Sequence, residues 1–370
     1  MRKSQSSPGI PEGSLLRDLW RQKPDLRFSS AFLFQQIELL RCFAMLCIIV
    51  YHLLIFVVSP LHYGESLYQA LQIPLHIGVP LFVLISGYFG IRFSLRGLMR
   101  LCSKGYVYLV PFLAVPAIIN GQGLKEVLKN VFIFGFDALW YLNTYLYLFL
   151  FSPIINRYLA NITRNQRLYL LLILAFMSIY IGNVTEGDIY LVEGKNLTNF
   201  ILLYVIGNTI RQEQVRIDSF SKSKMLGGYL FFNVLLVLGF MLVPFLAGKI
   251  WKYSFAYDSP VIIVNSIWVL ALFSRLKFNS HFVNWMGGSI FACYLLQCPG
   301  VIWHNCFEYP IHIINGFVQS PILLILVLII FALGTMLIMA SIDKVLNPLW
   351  NRLVAFAAKY DEKWNTKQLR

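Results

Sequence analysis

The chain has 370 residues, 58% of them hydrophobic and only 13% charged, with a formal net charge of +14. A soluble domain carries about 25% charged residues. This chain therefore lacks the polar side chains that a water-facing surface needs, and its apolar content excludes a disordered chain. What remains is an all-α protein, a polytopic bundle of transmembrane helices.

Residues 1–34 are polar and basic and contain Pro8, Pro11 and Pro24. The stretch is too long and too hydrophilic for a secretory leader and reads as a cytoplasmic tail, with an interfacial piece from Ser14 to Leu19. A membrane helix needs roughly 20 mostly apolar residues. On that template ten spans are predicted, at about 36–58, 73–91, 105–120, 138–155, 168–183, 199–210, 225–247, 259–274, 286–307 and 321–341. The third, fifth and sixth are short, and composition leaves the start of the sixth between Leu191 and Asn199. Residues 35–345 thus form one membrane domain, and 346–370 a basic C-terminal tail.

Charge tests this map. With the N-terminus inside, 25 Lys and Arg fall in inside segments and 5 in outside loops, Arg41 being the remaining one. Cytoplasmic segments carry the excess of Lys and Arg in membrane proteins, so both termini are predicted cytoplasmic. The positive charge is spread in small groups along that face, which suits a lipid bilayer and not nucleic acid. The loops are too short to fold alone, so no soluble domain is expected. Five of the six cysteines lie in apolar runs, and no His/Cys spacing suits a metal.

An ionisable residue inside hydrocarbon is costly and marks function by default. The first span carries Glu38, Arg41 and His52. Glu38 and Arg41 are one helical turn apart and positioned to pair. The eleven-residue step from Arg41 to His52 turns about 1100°, three turns plus about 20°, so the two share a face about 16 Å apart along the axis. Histidine enters a membrane neutral and still takes up a proton near neutral pH. The bland alternatives are a snorkelling Glu38, a topogenic Arg41 and a helix–helix hydrogen bond at His52.

These residues resemble a known family. Glu38-x-x-Arg41-x-x-Ala44 followed by His52 is similar to the first-helix signature of the acyltransferase-3 membrane acyltransferases. Gly78 to Tyr88, ending in Ser86-Gly87-Tyr88, resembles that family's Phe-rich run. Leu139-Trp140-Tyr141-Leu142 followed by Ser152-Pro153 resembles its Trp-Tyr-Leu span, and Ser289 to Gln297 its late Ser-Phe-Gly-x-Tyr-Leu-x-His segment. The chain departs from the pattern at Gln297, where the family has histidine.

The resemblance implies transfer of an acyl group, usually acetyl, from cytoplasmic acetyl-CoA or another acyl-CoA to a hydroxyl of a saccharide or glycan precursor, in a bacterial inner or plasma membrane. His52 is then the candidate base, Arg41 a donor-binding or orienting group, and Glu38 the residue that holds Arg41. Arg92, Arg96, Arg100 and Lys104 step by four and are expected to form one basic helix face. That face suits donor phosphates, or anionic headgroups. Trp140, Tyr141, Asn143 and Tyr145, with Asp137 beside them, suit a sugar-stacking platform or an aromatic belt. His76 and His304 read as packing residues, and Ser86 and Gly87 as close helix contacts. The alternative function is a transporter or flippase of a glycoconjugate, since intramembrane Arg and His also suit a substrate path. Its repeat-related broken helices are not evident in the sequence.

Overall fold

The computed structural model describes residues 27–56, 70–125, 139–185, 191–213, 219–242, 256–276, 278–297 and 320–368, together with 58, 128, 310 and 312. Every regular element among them is helical. The principal helices are α1 (Arg27–Phe56), α2 (Gly78–Phe89), α3 (Leu95–Ile119), α4 (Trp140–Asn161), α5 (Arg164–Ala175) and α6 (Leu197–Gln212). They continue with α7 (Lys222–Leu242), α8 (Pro260–Phe273), α9 (His281–Gly287), α10 (Ile290–Gln297) and α11 (Pro321–Gln368). A helix lies at each of the ten predicted positions. By length and composition four segments suffice to cross a membrane among the described residues: Gln36–Phe56, Ala70–Phe89, Arg164–Val184 and Pro321–Arg352.

Local chemistry sets several boundaries. Helix α3 starts ten residues before the predicted third span, because the Ser94 hydroxyl accepts from the Gly97 N–H at 3.0 Å and opens the helix there. Arg92 precedes this start, so only Arg96, Arg100 and Lys104 share the expected helix. Thr163 and Gln166 cap α5 reciprocally, and the helix runs on as a π-helical segment, Phe176–Val184. Asn196 caps α6 by accepting from the Asn199 N–H at 2.9 Å, which settles its start. The predicted ninth span is broken between α9 and α10 at Gly288-Ser289. Helix α11 continues through the predicted C-terminal tail as far as Gln368. At 1.5 Å per residue this 48-residue helix is about 72 Å long, more than twice the hydrocarbon thickness of about 30 Å.

Burial separates centre from rim. Most residues of the α1 and α2 segments are buried, whereas fewer than a third are in the α5 and α11 segments. Leu168 and Leu172 on α5, Phe176 at the start of the π-helical segment, Leu230, Val234 and Leu238 on α7, and Ile322, Leu326 and Ile330 on α11 face outward. Apolar faces of this extent belong against lipid.

Helix contacts also give relative directions. Gly287 meets Glu38 and Gln297 meets His52, so the α9–α10 segment runs parallel to α1. Gly288 lies by Lys344 while the Cys293 thiol meets the Met336 carbonyl, so α10 and α11 are antiparallel. Phe82–Tyr141, Ser86–Tyr145 and Ile91–Asn156 keep the same order on the α2 and α4 segments, which are parallel.

Helices α2 and α6 cross at close range. A Cβ on Gly87 would overlap the Tyr204 carbonyl, and one on Gly207 the Leu84 carbonyl. Small residues let helix backbones approach in this way. Below the crossing the Tyr204 hydroxyl accepts from the Ile91 N–H at 2.7 Å and donates to Asn156 Oδ1 at 2.6 Å. Arg211 donates to the Tyr88 carbonyl at 3.2 Å, satisfying the end of α2.

Candidate active site

Helix α1 carries the predicted residues through the middle of the bundle. Arg41 Nη1 donates to both Glu38 oxygens, at 2.9 and 3.1 Å. Glu38 is 2% exposed and sits against Gly287, where no side chain fits without striking its carboxylate. The Arg41 side chain keeps 25% of its surface accessible although its helix is central. Its Nη2 and Nε make no hydrogen bond among the described residues, and those donors are therefore left for another acceptor. Pairing with Glu38 is what makes this partly buried cation tolerable.

Beside Arg41 stands a wall of phenols. Tyr141 stacks on Tyr145 with centroids 5.9 Å apart and meets Tyr294 edge-on at 5.3 Å. The Tyr145 hydroxyl lies 3.3 Å from the Ser86 hydroxyl, which donates to the Phe82 carbonyl at 2.8 Å. Ser86 is thus occupied as a helix-bonded hydroxyl next to Tyr145.

The other end of the face holds His52. Its Nδ1 lies 3.3 Å from Gln297 Oε1, and Gln297 Nε2 points at Met45 Sδ at 3.8 Å. Tyr51 packs on His76 at 4.4 Å, His76 on Tyr257 at 6.0 Å, and Tyr257 stacks on Trp140 at 5.2 Å. Lys195 lies over Trp140 at 6.0 Å while paired with Glu193 at 2.6 Å. An aromatic chain therefore links the His52 end to the Arg41 end through Trp140 and Tyr141, whose centroids are 6.0 Å apart.

A family model described as an acyltransferase domain matches residues 34–341. The chain belongs to the acyltransferase-3 family. No curated protein and no solved structure matches it. Membership supports an acyltransferase in a membrane and gives the transporter alternative no support.

Within this acyltransferase the predicted residues divide. Glu38, Arg41 and His52 lie along one helix lining the interior, joined there by Tyr141. Trp140 stands toward the His52 end with Tyr257 on one face. Arg96 is exposed and Arg100 partly so, near the start of α3. Lys104 is committed elsewhere: its Nζ pairs with Asp343 at 2.8 Å, and Tyr108 donates to the same carboxylate oxygen at 2.8 Å. This acceptor on α11 lies 239 residues away, so the basic periodicity of α3 gave no sign of it. Asp137 and His304 lie outside the described residues. In the sequence Gln297 stands out only as a departure, Tyr294 only as the tyrosine of the late Tyr-Leu motif, and Tyr257 not at all.

A second polar cluster lies at the N-terminal ends of α6 and α8. Glu193 and Gly194 both have positive φ, 62° and 68°, and the Asn199 amide donates to the Gly194 carbonyl at 2.9 Å. Asp258 packs against this turn, is 0% exposed, and neither oxygen has a well-formed hydrogen bond among the described residues. Burial pushes its carboxyl up to about 7, aided by the Glu193 charge. The ordinary value is 3.8, so unfolding releases a proton between about pH 4 and pH 7. The folded state loses stability as pH rises through that window. Asp258→Asn is expected to be more stable than wild type at pH 8, by on the order of 2–4 kcal/mol, and nearly unchanged at pH 4. Thermal unfolding of detergent-solubilised protein at the two pH values measures this.

Proposed function

We propose that the protein is an integral membrane O-acyltransferase that moves an acyl group, acetyl foremost, from cytoplasmic acyl-CoA to a hydroxyl of a saccharide or cell-surface glycan precursor. In this reading the chain crosses a cell membrane, inner or plasma, ten times with both termini cytoplasmic. Helix directions support that arrangement: α1 and α10 run one way, α11 the other, as the first, ninth and tenth crossings must.

The observation that carries the proposal is the shared interior face of α1. It presents a guanidinium with unused donors at one level and an imidazole about 16 Å away. That gap suits an extended pantetheine arm, phosphates toward Arg41 and thioester toward His52. Arg96 and Arg100 extend the basic surface for donor phosphates. Trp140, with Tyr257 behind it, and Asp137 are proposed to take the acceptor sugar. His52 takes the proton of the acceptor hydroxyl as its oxygen attacks the thioester carbonyl. The C–O bond forms, the C–S bond breaks, and the proton passes to the departing thiolate.

Transfer of label from radiolabelled acetyl-CoA to glycan in membranes containing the protein tests this reading. Arg41→Ala is expected to raise the KM for acetyl-CoA by about 10–100-fold, the worth of one or two charge-assisted hydrogen bonds. Full activity with unchanged donor affinity in that variant would remove Arg41 from the donor site.

A further inference from the structure

We infer that Gln297 is a positioning residue that fixes the tautomer of His52 and leaves Nε2 as its basic nitrogen. The inference rests on the acyl-transfer reading above and adds how the base is set.

Gln297 ends α10 and is 2% exposed. Its side chain spans two partners on α1, His52 Nδ1 at 3.3 Å from Oε1 and Met45 Sδ at 3.8 Å from Nε2. An amide oxygen only accepts, so the His52 bond forms when Nδ1 carries the proton. Turning the amide over would aim its oxygen at the thioether sulfur, itself an acceptor, and forfeit the bond to Met45. Met45 therefore selects the amide orientation, and the amide selects the imidazole tautomer. A neutral imidazole with its proton on Nδ1 has its lone pair on Nε2.

The same bond helps again when His52 takes up a proton. The Nδ1–H then belongs to an imidazolium, and its hydrogen bond to Oε1 becomes charge-assisted and stronger. A neutral amide orienting a catalytic imidazole has precedent in the Cys-His-Asn arrangement.

Gln297→Met and Gln297→Glu separate orientation from packing. Methionine keeps the length and replaces the amide oxygen by a thioether, only a weak acceptor; glutamate keeps a strong acceptor oxygen at the same place. Label transfer from acetyl-CoA is measured for wild type, both variants and His52→Ala, at equal amounts of folded protein by size-exclusion chromatography. Gln297→Met is expected to lose about 10–100-fold in kcat with unchanged KM for acetyl-CoA, a part of the roughly 10²–10⁴ that a positioned base supplies. Gln297→Glu is expected to recover most of that loss. Wild-type kcat in Gln297→Met, or a loss that Gln297→Glu does not recover, overturns the positioning role while His52 stands. Absence of transfer by the wild type overturns the acyl-transfer reading and this inference with it, whereas full transfer by His52→Ala keeps acyl transfer, removes His52 as its base and overturns this inference.

Discussion

His52→Ala is expected to lower label transfer from acetyl-CoA by roughly 10²–10⁴-fold while the protein remains folded in the membrane. A hydroxyl is a poor nucleophile until its proton is taken, and His52 is the group on the interior face of α1 suited to taking it. The ring meets Gln297 on one side and the Phe56 ring at 5.7 Å on another, and the residue keeps part of its surface accessible. Truncation removes little packing, so the expected loss is in kcat and not in protein amount. Donor binding near Arg41, about three helical turns away, is expected to survive, leaving the KM for acetyl-CoA within a few-fold of wild type. Single-turnover transfer in membranes, beside a blot for protein level, measures both quantities. Wild-type transfer in His52→Ala would assign the proton to another group and reduce His52 to a packing role.

Gly207→Leu and Gly87→Leu are expected to prevent accumulation of folded protein. Each glycine lies where a Cβ would overlap a backbone carbonyl of the opposing helix, and backbone cannot rotate aside as a side chain can. The helices would have to separate. Separation strains the Tyr204 bonds to Ile91 and Asn156 and the Arg211 bond to Tyr88, which fix α2, α4 and α6 together at that end. Overpacking by a single small group costs about 1–3 kcal/mol, and leucine adds more atoms to the same gap. Against a typical total stability of 5–15 kcal/mol, the alanine variants are expected to survive weakened and the leucine variants to aggregate on solubilisation. Fluorescence-detected size-exclusion chromatography of the four variants distinguishes these outcomes. A monodisperse leucine variant would show that the crossing relaxes and that Gly87 and Gly207 do not set it.

These two predictions differ in how far they were legible from residue order. The Arg41–His52 face follows from helical period alone, because side chains eleven apart on one helix align whatever surrounds them. The Glu38–Arg41 pair follows from the same geometry at one turn. Gly87 was readable as a close contact, but Tyr204 as its partner was not. The basic stretch before the third span was misread in part. Arg92 falls outside the helix because Ser94 caps it, and Lys104 is drawn to Asp343.

Residue order alone carries the membrane habit, the helical class, the positions of ten apolar segments and the charged face of the first of them. Each depends on composition or on a period within one segment, and local chemistry is sufficient to express it. Which side chains meet that face depends on the packed helices. Gln297 reaches His52 across 245 residues, Gly287 closes on Glu38, and Tyr257 stacks on Trp140. Such contacts depend on how helices cross and rotate against one another, and that is fixed by interdigitation of whole surfaces rather than by any local run of residues.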